Sequence, residues 1–410
     1  MKRYFYGWIV AGCAFFTLLV TNGLTFAGIT VFDESMLREF SWTRSTLKFR
    51  DLLTMGLAGV LSPFAGAIAD KYGVKRLMLG GAALLAVALL AYGQVGSALQ
   101  MYLVHVMFAI VLASCGIVMA VILVSRWFVK KRGTATGIAM VGTSMGGALF
   151  PALGGLLVGP YGWRFSLMIY AIFPAVLVVV ILLFVRERPS DMGLEPLGAG
   201  DAARAGGPPA GLDYREAIRT RTFWLIAAAG SMTFYAILGI SAHLFLHLRG
   251  QGFDVPTAAR GLSWMFLMGL VGKFLFGYLA DLFDHRRVLL VNLGIMFAGS
   301  LALASMNANL FWPFVVCFGL GWGGIYTLLQ LLTMDAFGLK AAGRVLGTRT
   351  VMDAIGGGLG PWVTGWLFDR TGSYQVPFLV VSALILVTFF SSMALRMSGP
   401  ASHAPAAGRA

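Results

Sequence analysis

Three charged residues lie where charge is expensive. Lys273 sits in the stretch Gly269 to Arg287, GLVGKFLFGYLADLFDHRR, and Arg349 and Asp353 sit in LGTRTVMDAIGGG. A lysine in apolar surroundings can hold a carboxylate through a charge-assisted hydrogen bond, and a carboxylic acid can take up and release a proton. Arg349 and Asp353 are spaced i,i+4, which puts them on one helix face. Lys273 is eight residues from Asp281 and Asp353 eight from Val345, so at about 1.5 Å per residue both are roughly 12 Å from the ends of their helices. Charges at that depth are candidates for function by default. The plainer reading is a structural ion pair, Asp353 with Arg349 or with Lys273.

The elements that must position these residues are membrane spans. The chain has 410 residues, of which 58% are hydrophobic and 12% charged, and a mean hydropathy of +0.82. That composition excludes an ordinary soluble protein. Twelve spans of about 20 residues require roughly 240 apolar positions, leaving little for loops. We place them at 8–31, 48–69, 77–93, 101–124, 134–158, 165–185, 222–248, 261–280, 288–306, 310–334, 345–368 and 376–395. The expected fold is therefore all-α, with a six-helix half at 1–185, a linker at 186–221 rich in Gly, Pro and charge, a second six-helix half at 222–396 and a disordered tail at 397–410.

The net charge of +14 comes from short loops without an aromatic-basic surface, so nucleic acid is not an expected partner. Most of the 31 Lys and Arg fall on the side holding both termini and the linker, which orients those segments to the cytoplasm. The first apolar segment is full-length and lacks a cleavage site, and reads as a retained helix. DESMLREFSWTRS is expected to be the one sizeable outer loop. Lys48, Arg50 and Asp51 after it are expected either to face the outer mouth or to snorkel to the interface. Cys13, Cys115 and Cys317 lie in spans and read as packing residues, not as a disulfide or metal set. His243 and His247 have metal-pair spacing without companions, so they read as outer-mouth polar groups and no metal is expected. The Gly-rich runs are not phosphate loops, and no catalytic constellation is present; neither a cofactor nor enzyme activity is expected.

The sequence repeats itself. Gly66, Asp70, Lys75 and Arg76 recur 211 positions on as Gly277, Asp281, Arg286 and Arg287. Gly137, Gly146, Pro151 and Gly155 recur 210 on as Gly347, Gly356, Pro361 and Gly365. Two related halves place a cavity between them near the bilayer midplane. The positions matching Lys273, Arg349 and Asp353 in the first half are Ser62, Ala139 and Thr143. The shared scaffold therefore does not require the three charges.

GAIADKYGVKR and GYLADLFDHRR resemble the loop motif of the major facilitator superfamily, and the resemblance covers almost the whole chain. It implies a two-half, twelve-helix fold and gating, not substrate contact, for Gly66, Asp70, Lys75, Arg76, Gly277, Asp281, Arg286 and Arg287. Tyr6-Gly7-Trp8, Phe40-Ser41-Trp42-Thr43-Arg44, RWFVKKRG at 126–133 and TRTFW before span 7 resemble the monocarboxylate and oxalate/formate porters within it. That group carries a basic residue in span 8, where Lys273 stands. In oxalate/formate exchangers a lysine is expected at the place of Asp353, a departure that disfavours a doubly charged substrate. The resemblance also puts Asn22, Tyr102, His105, Tyr326 and Gln330 on cavity-lining spans, where helix-helix hydrogen bonding is the plainer role. The expectation is a bacterial inner-membrane transporter, monomeric among its lipids, that imports a small organic monocarboxylate with a proton. Lys273, Tyr326, Gln330, Asn22 and Tyr102 would bind the anion, and Asp353 with Arg349 would couple the proton. The alternatives are a proton-driven drug or organic-anion effluxer, left open because the glycine and proline pattern of span 5 resembles the drug-antiporter motif although Phe150 replaces its glycine before Pro151, or an anion exchanger. A non-transporting receptor is disfavoured by the retention of both loop motifs.

Overall fold

The computed structural model describes residues 5–199, 211–338 and 340–395; the tail at 397–410 and part of the linker lie outside the described residues. Helices account for nearly all of what is described. In chain order they are α1 (Gly7–Asn22), α2 (Asp33–Phe40), α3 (Arg44–Tyr72), α4 (Val74–Tyr92), α5 (Ala98–Cys115), α6 (Ile117–Trp127), α7 (Arg132–Tyr170) and α8 (Ile172–Phe184). After the linker come α9 (Arg221–Gly250), α10 (Val255–Leu282), α11 (His285–Ala304), α12 (Phe311–Phe337), α13 (Ala342–Thr371) and α14 (Gln375–Met393). Among the described residues, ten helical runs are long and apolar enough to cross a membrane. One of them, Arg132–Phe184, is 53 residues long, more than twice what a crossing needs. It bends at Gly162, whose φ of 71° favours a residue without a Cβ, and so holds two spans. With α13, which has 30 residues, the set matches the twelve-helix architecture.

The described residues cluster into two compact units. One contains 5–199, Ser241–Leu267 and Pro361–Arg370; the other contains 211–240, Met268–Gly360 and 371–395. In the first unit α1 continues through a π turn at Gly23–Ala27 and a 3-10 turn at Gly28–Phe32 straight into α2. The segment expected to be an outer loop is thus partly helical, and Asp33 and Met36 on it are buried. Glycines set how closely the helices approach. A Cβ at Gly142 would lie 2.2 Å from the Phe15 carbonyl oxygen, and one at Gly146 would lie 2.1 Å from that of Leu19, so α7 lies directly on the backbone of α1. Gly155 meets Ala259 of α10 at 2.5 Å, and Gly365 of α13 meets the Arg44 backbone at the start of α3 at 3.0 Å.

The second unit repeats the device. A Cβ at Gly356 would lie 1.9 Å from the Ser231 carbonyl oxygen, and one at Gly360 would lie 2.4 Å from that of Tyr235, bringing α13 onto α9. Gly272 on α10 and Gly323 on α12 make a similar crossing, with Gly323 against the Gly269 carbonyl oxygen and the Lys273 amide nitrogen. The two ends of the linker are anchored at matching places. Leu197 exchanges backbone hydrogen bonds with Trp127, Val129 and Lys130 after α6, and Leu212 donates to the Phe337 carbonyl oxygen at the end of α12.

Candidate functional site

Asp353 and Arg349 lie on one face of α13, and both are buried. Arg349 Nη2 donates to Asp353 Oδ2 at 2.7 Å, so the i,i+4 spacing has produced the ion pair that the sequence allowed. The pair is not saturated. Asp353 Oδ1 and the Nε and Nη1 of Arg349 are buried without a hydrogen-bond partner. Asp353 Oδ1 also occupies the space over Gly230 of α9, where a Cβ would come within 2.1 Å of it. Only a glycine lets the carboxylate sit there, and sequence reasoning had no signal for that pairing.

Tyr326 of α12 joins this group. Its ring lies 5.7 Å from the Arg349 guanidinium carbon, and its side chain is hydrogen-bonded to Gln330, one turn along the same helix. Phe234 of α9 packs against the ring, 6.4 Å between centroids. Lys273 is half-buried on α10, and its backbone nitrogen faces Gly323, three residues before Tyr326. Of the residues singled out in the second half, Tyr326, Gln330, Arg349 and Asp353 therefore form one connected group. Lys273 stands at the α10–α12 crossing about one turn from Tyr326. A guanidinium over an aromatic ring and a carboxylate with an open oxygen can bind a small carboxylate and exchange one counter-ion for another.

The first unit holds Asn22 and Tyr102. Asn22 is half-buried and donates to Thr21 Oγ1 at 3.4 Å. The Tyr102 hydroxyl donates to the Thr46 carbonyl oxygen at 2.8 Å, and its ring packs edge-on against Phe49, so here the side chain ties α5 to the start of α3.

Lys48, Arg50 and Asp51 do not face a mouth or snorkel. All three are buried together with Asp33, the residue that sequence reasoning missed. Lys48 Nζ donates to Asp33 Oδ2 at 2.5 Å, and Arg50 Nη2 donates to the other oxygen of the same carboxylate. Asp51 is held more loosely, with Lys48 at 3.8 Å and Arg50 at 3.7 Å. From Arg50 a chain of bonds continues to the Tyr92 hydroxyl at 2.9 Å, then to His105 Nε2 at 3.1 Å. His105 Nδ1 meets Thr54 Oγ1 at 2.8 Å. The guanidinium only donates, so the Tyr92 hydroxyl accepts from Arg50, while the direction of the Tyr92–His105 bond follows the His105 tautomer. The buried acids Asp33 and Asp51 thus balance the bases Lys48 and Arg50, and the cluster sums to zero charge. His243 is buried too, bonded through Nε2 to the Pro361 carbonyl oxygen at 2.8 Å, and His247 is buried one turn further on. Neither is a mouth residue.

The repeated loop motifs do related work in the two units. Lys75 Nζ donates to the Leu182 carbonyl oxygen of α8 at 2.9 Å. Its counterpart Arg286 donates to the Ser392 carbonyl oxygen of α14 at 3.1 Å and also to that of Met393. Each basic residue thus satisfies carbonyls left open at the end of the last helix of its half. Asp70 is exposed and reaches Arg126 at 4.0 Å, and Arg126 is bound more tightly to Glu187, whose Oε1 also accepts from the Val74 amide. Asp281, Arg76 and Arg287 are exposed. A Cβ at Gly66 or at Gly277 would meet nothing within 4 Å.

Comparison with known proteins agrees with this architecture. The chain is 26% identical over 413 residues to monocarboxylate transporter 13 of Rattus norvegicus, an alignment taking in 96% of this chain and 92% of the rat protein. It is 22% identical to monocarboxylate transporter 2 of Homo sapiens, over 93% of this chain and 83% of that one. Among solved structures, a bacterial homologue of the human lysosomal transporter Spinster, in an inward-facing and occupied conformation, superposes with a TM-score of 0.73. The two chains share 17% identity, with 96% of this chain and 97% of that chain covered, a likeness of fold. The sequence model of the Major Facilitator Superfamily matches residues 13–361. With its apolar helices, its repeated loop motifs and this match over most of its length, the chain belongs to the Major Facilitator Superfamily and is a multi-pass membrane transporter.

Proposed function

We propose that the protein imports a small organic monocarboxylate together with a proton, across a bacterial inner membrane and with both termini in the cytoplasm. The observation that carries the reading is the unsaturated buried pair of Arg349 and Asp353, with one carboxylate oxygen and two guanidinium nitrogens lacking hydrogen bonds. Protonation of Asp353 neutralises the counter-ion of Arg349. The carboxylate of a substrate then takes its place, with Lys273 as a second cation and Tyr326 and Gln330 as neutral hydrogen-bonding groups. Proton and anion thus favour each other's binding by linkage. Release of the anion returns Asp353 to Arg349 and expels the proton. The gating motifs, Asn22 and Tyr102 serve the movement and lining of the path, and the unit of transport is the monomer. The monocarboxylate transporters among the relatives support the substrate class.

The test is uptake of labelled lactate, an aromatic acid and a dicarboxylic acid into proteoliposomes, with and without an inward pH gradient. We expect gradient-stimulated accumulation of a monocarboxylate and none of the dicarboxylate. Uptake indifferent to the gradient would remove the coupling role of Asp353. Lys273→Gln should raise the KM for the anion, and retention of wild-type affinity would remove Lys273 from the site.

A further inference from the structure

A second group of charges, remote in sequence from the α13 pair, lines an open cavity of about 280 Å³ in the first unit. Its wall is made by α2 with Glu34, Leu37 and Arg38, by Arg44 at the start of α3, and by Leu246 and Arg249 near the end of α9. Three arginines and one acid, Glu34, line this space. Glu34 serves two of them: Arg249 approaches both its oxygens, at 2.5 and 3.2 Å, and Arg38 shares one. Arg249 also donates to the Phe253 carbonyl oxygen at 2.5 Å, which fixes its fork. The Arg44 guanidinium stacks at 3.5 Å over the ring of Phe368. Asp369, which does not line the cavity, accepts the backbone N–H groups of Arg44 and Ser45 at 2.9 and 2.8 Å and caps α3, so that even with it counted three arginines stand against two carboxylates. The cavity wall therefore carries a surplus of positive charge. Leu37 and Leu246 offer an apolar side to a short tail.

We infer that this cavity is a docking site for a small organic monocarboxylate, whose carboxylate displaces Glu34 from Arg249. The ligand class rests on the function proposed above; the site itself rests on the cavity and its three arginines. Charge favours a single carboxylate, because what the ligand exchanges for is one carboxylate, that of Glu34. Exchange there has a structural consequence. The Glu34–Arg249 contact joins α2 to the end of α9, as the Asp369 cap joins α13 to α3. A ligand that takes Arg249 from Glu34 loosens the first of these two ties.

The experiment measures equilibrium binding of labelled lactate to the full chain in nanodiscs at constant ionic strength. Binding is read first in a Lys273→Gln background, which leaves this cavity intact. We expect residual lactate binding there. Adding Glu34→Gln removes the internal competitor and should tighten it by up to about fivefold, the fold-change that a partly exposed ion pair can supply. Adding Arg38→Gln, at an exposed side chain, should weaken it by a similar factor with an unchanged melting temperature. Absence of residual binding, or residual binding indifferent to both substitutions, overturns the proposal. Weaker binding in Glu34→Gln also overturns it, since a purely structural role for Glu34 gives that result. Failure of the Lys273 reading is seen separately, as a Lys273→Gln protein that binds lactate like wild type, and the Glu34 and Arg38 comparisons are then made in the wild-type background.

Discussion

At the scale of single residues, a structural role for the Arg349–Asp353 ion pair and the transport role proposed for it predict different outcomes. Removing one partner leaves the other charge buried and alone, which costs about 3–5 kcal/mol. Asp353→Ala should therefore lower the melting temperature of the detergent-solubilised protein markedly. Replacing both with apolar residues of similar volume, Arg349→Met with Asp353→Leu, should recover most of that loss while transport stays absent. A double variant that transports lactate would reduce the pair to a structural device. These two residues were legible because charge is conspicuous in an apolar span and absent from the matching repeat positions. Gly230 was not. Its necessity comes from the carboxylate oxygen that stands over it, a contact between α13 and α9 that no local pattern encodes. The Asp33 network was half legible: Lys48, Arg50 and Asp51 stood out by charge, but only the fold brings Asp33 back from α2 to balance them.

At the scale of helices, the repeated glycines separate into those that pack and those that do not. Gly146 and Gly356 occupy matching positions, and each lies against a carbonyl oxygen of the first helix of its half. Gly137 and Gly347, in the same repeat, have open space around them. Gly356→Ala should cost about 1–3 kcal/mol as overpacking of a backbone contact, and Gly347→Ala should leave the melting temperature unchanged. The sequence marked all of these glycines equally, because spacing alone does not say which face of a helix meets a neighbour. Asp369 is a second case. Its carboxylate caps a helix 325 residues away in sequence, so no capping pattern could reveal it. Asp369→Ala should cost about 0.5–2 kcal/mol, read from thermal melting, and Asp369→Asn, which keeps an acceptor, should cost less.

At the scale of the whole molecule, hydropathy and the internal repeat were sufficient to reach the twelve-helix fold, since span length and loop charge follow from the bilayer itself. The grouping of the helix ends was not legible. Residues 241–267 and 361–370 belong to the second half by repeat but pack with the first unit, through Glu34–Arg249, the Asp369 cap and the glycines at 155 and 365. Weakening those contacts should change which side of the protein admits a reagent. Glu34→Gln with Asp369→Asn is expected to speed the modification of a cysteine placed at Asn22 by a membrane-impermeant maleimide, and an unaltered rate would show that the ties do not limit access.

The glycines of the two loop motifs remain. At both Gly66 and Gly277 a methyl group would touch nothing, and each has a helical backbone that any residue adopts. The same small residue is thus kept at matched places where this arrangement has no use for smallness. A transporter's sequence must satisfy every arrangement through which the chain cycles, and one arrangement displays only the constraints that belong to it. Gly66→Ala and Gly277→Ala should therefore melt like the parent protein yet turn over more slowly in proteoliposomes, reporting on the part of the cycle in which those two places become crowded.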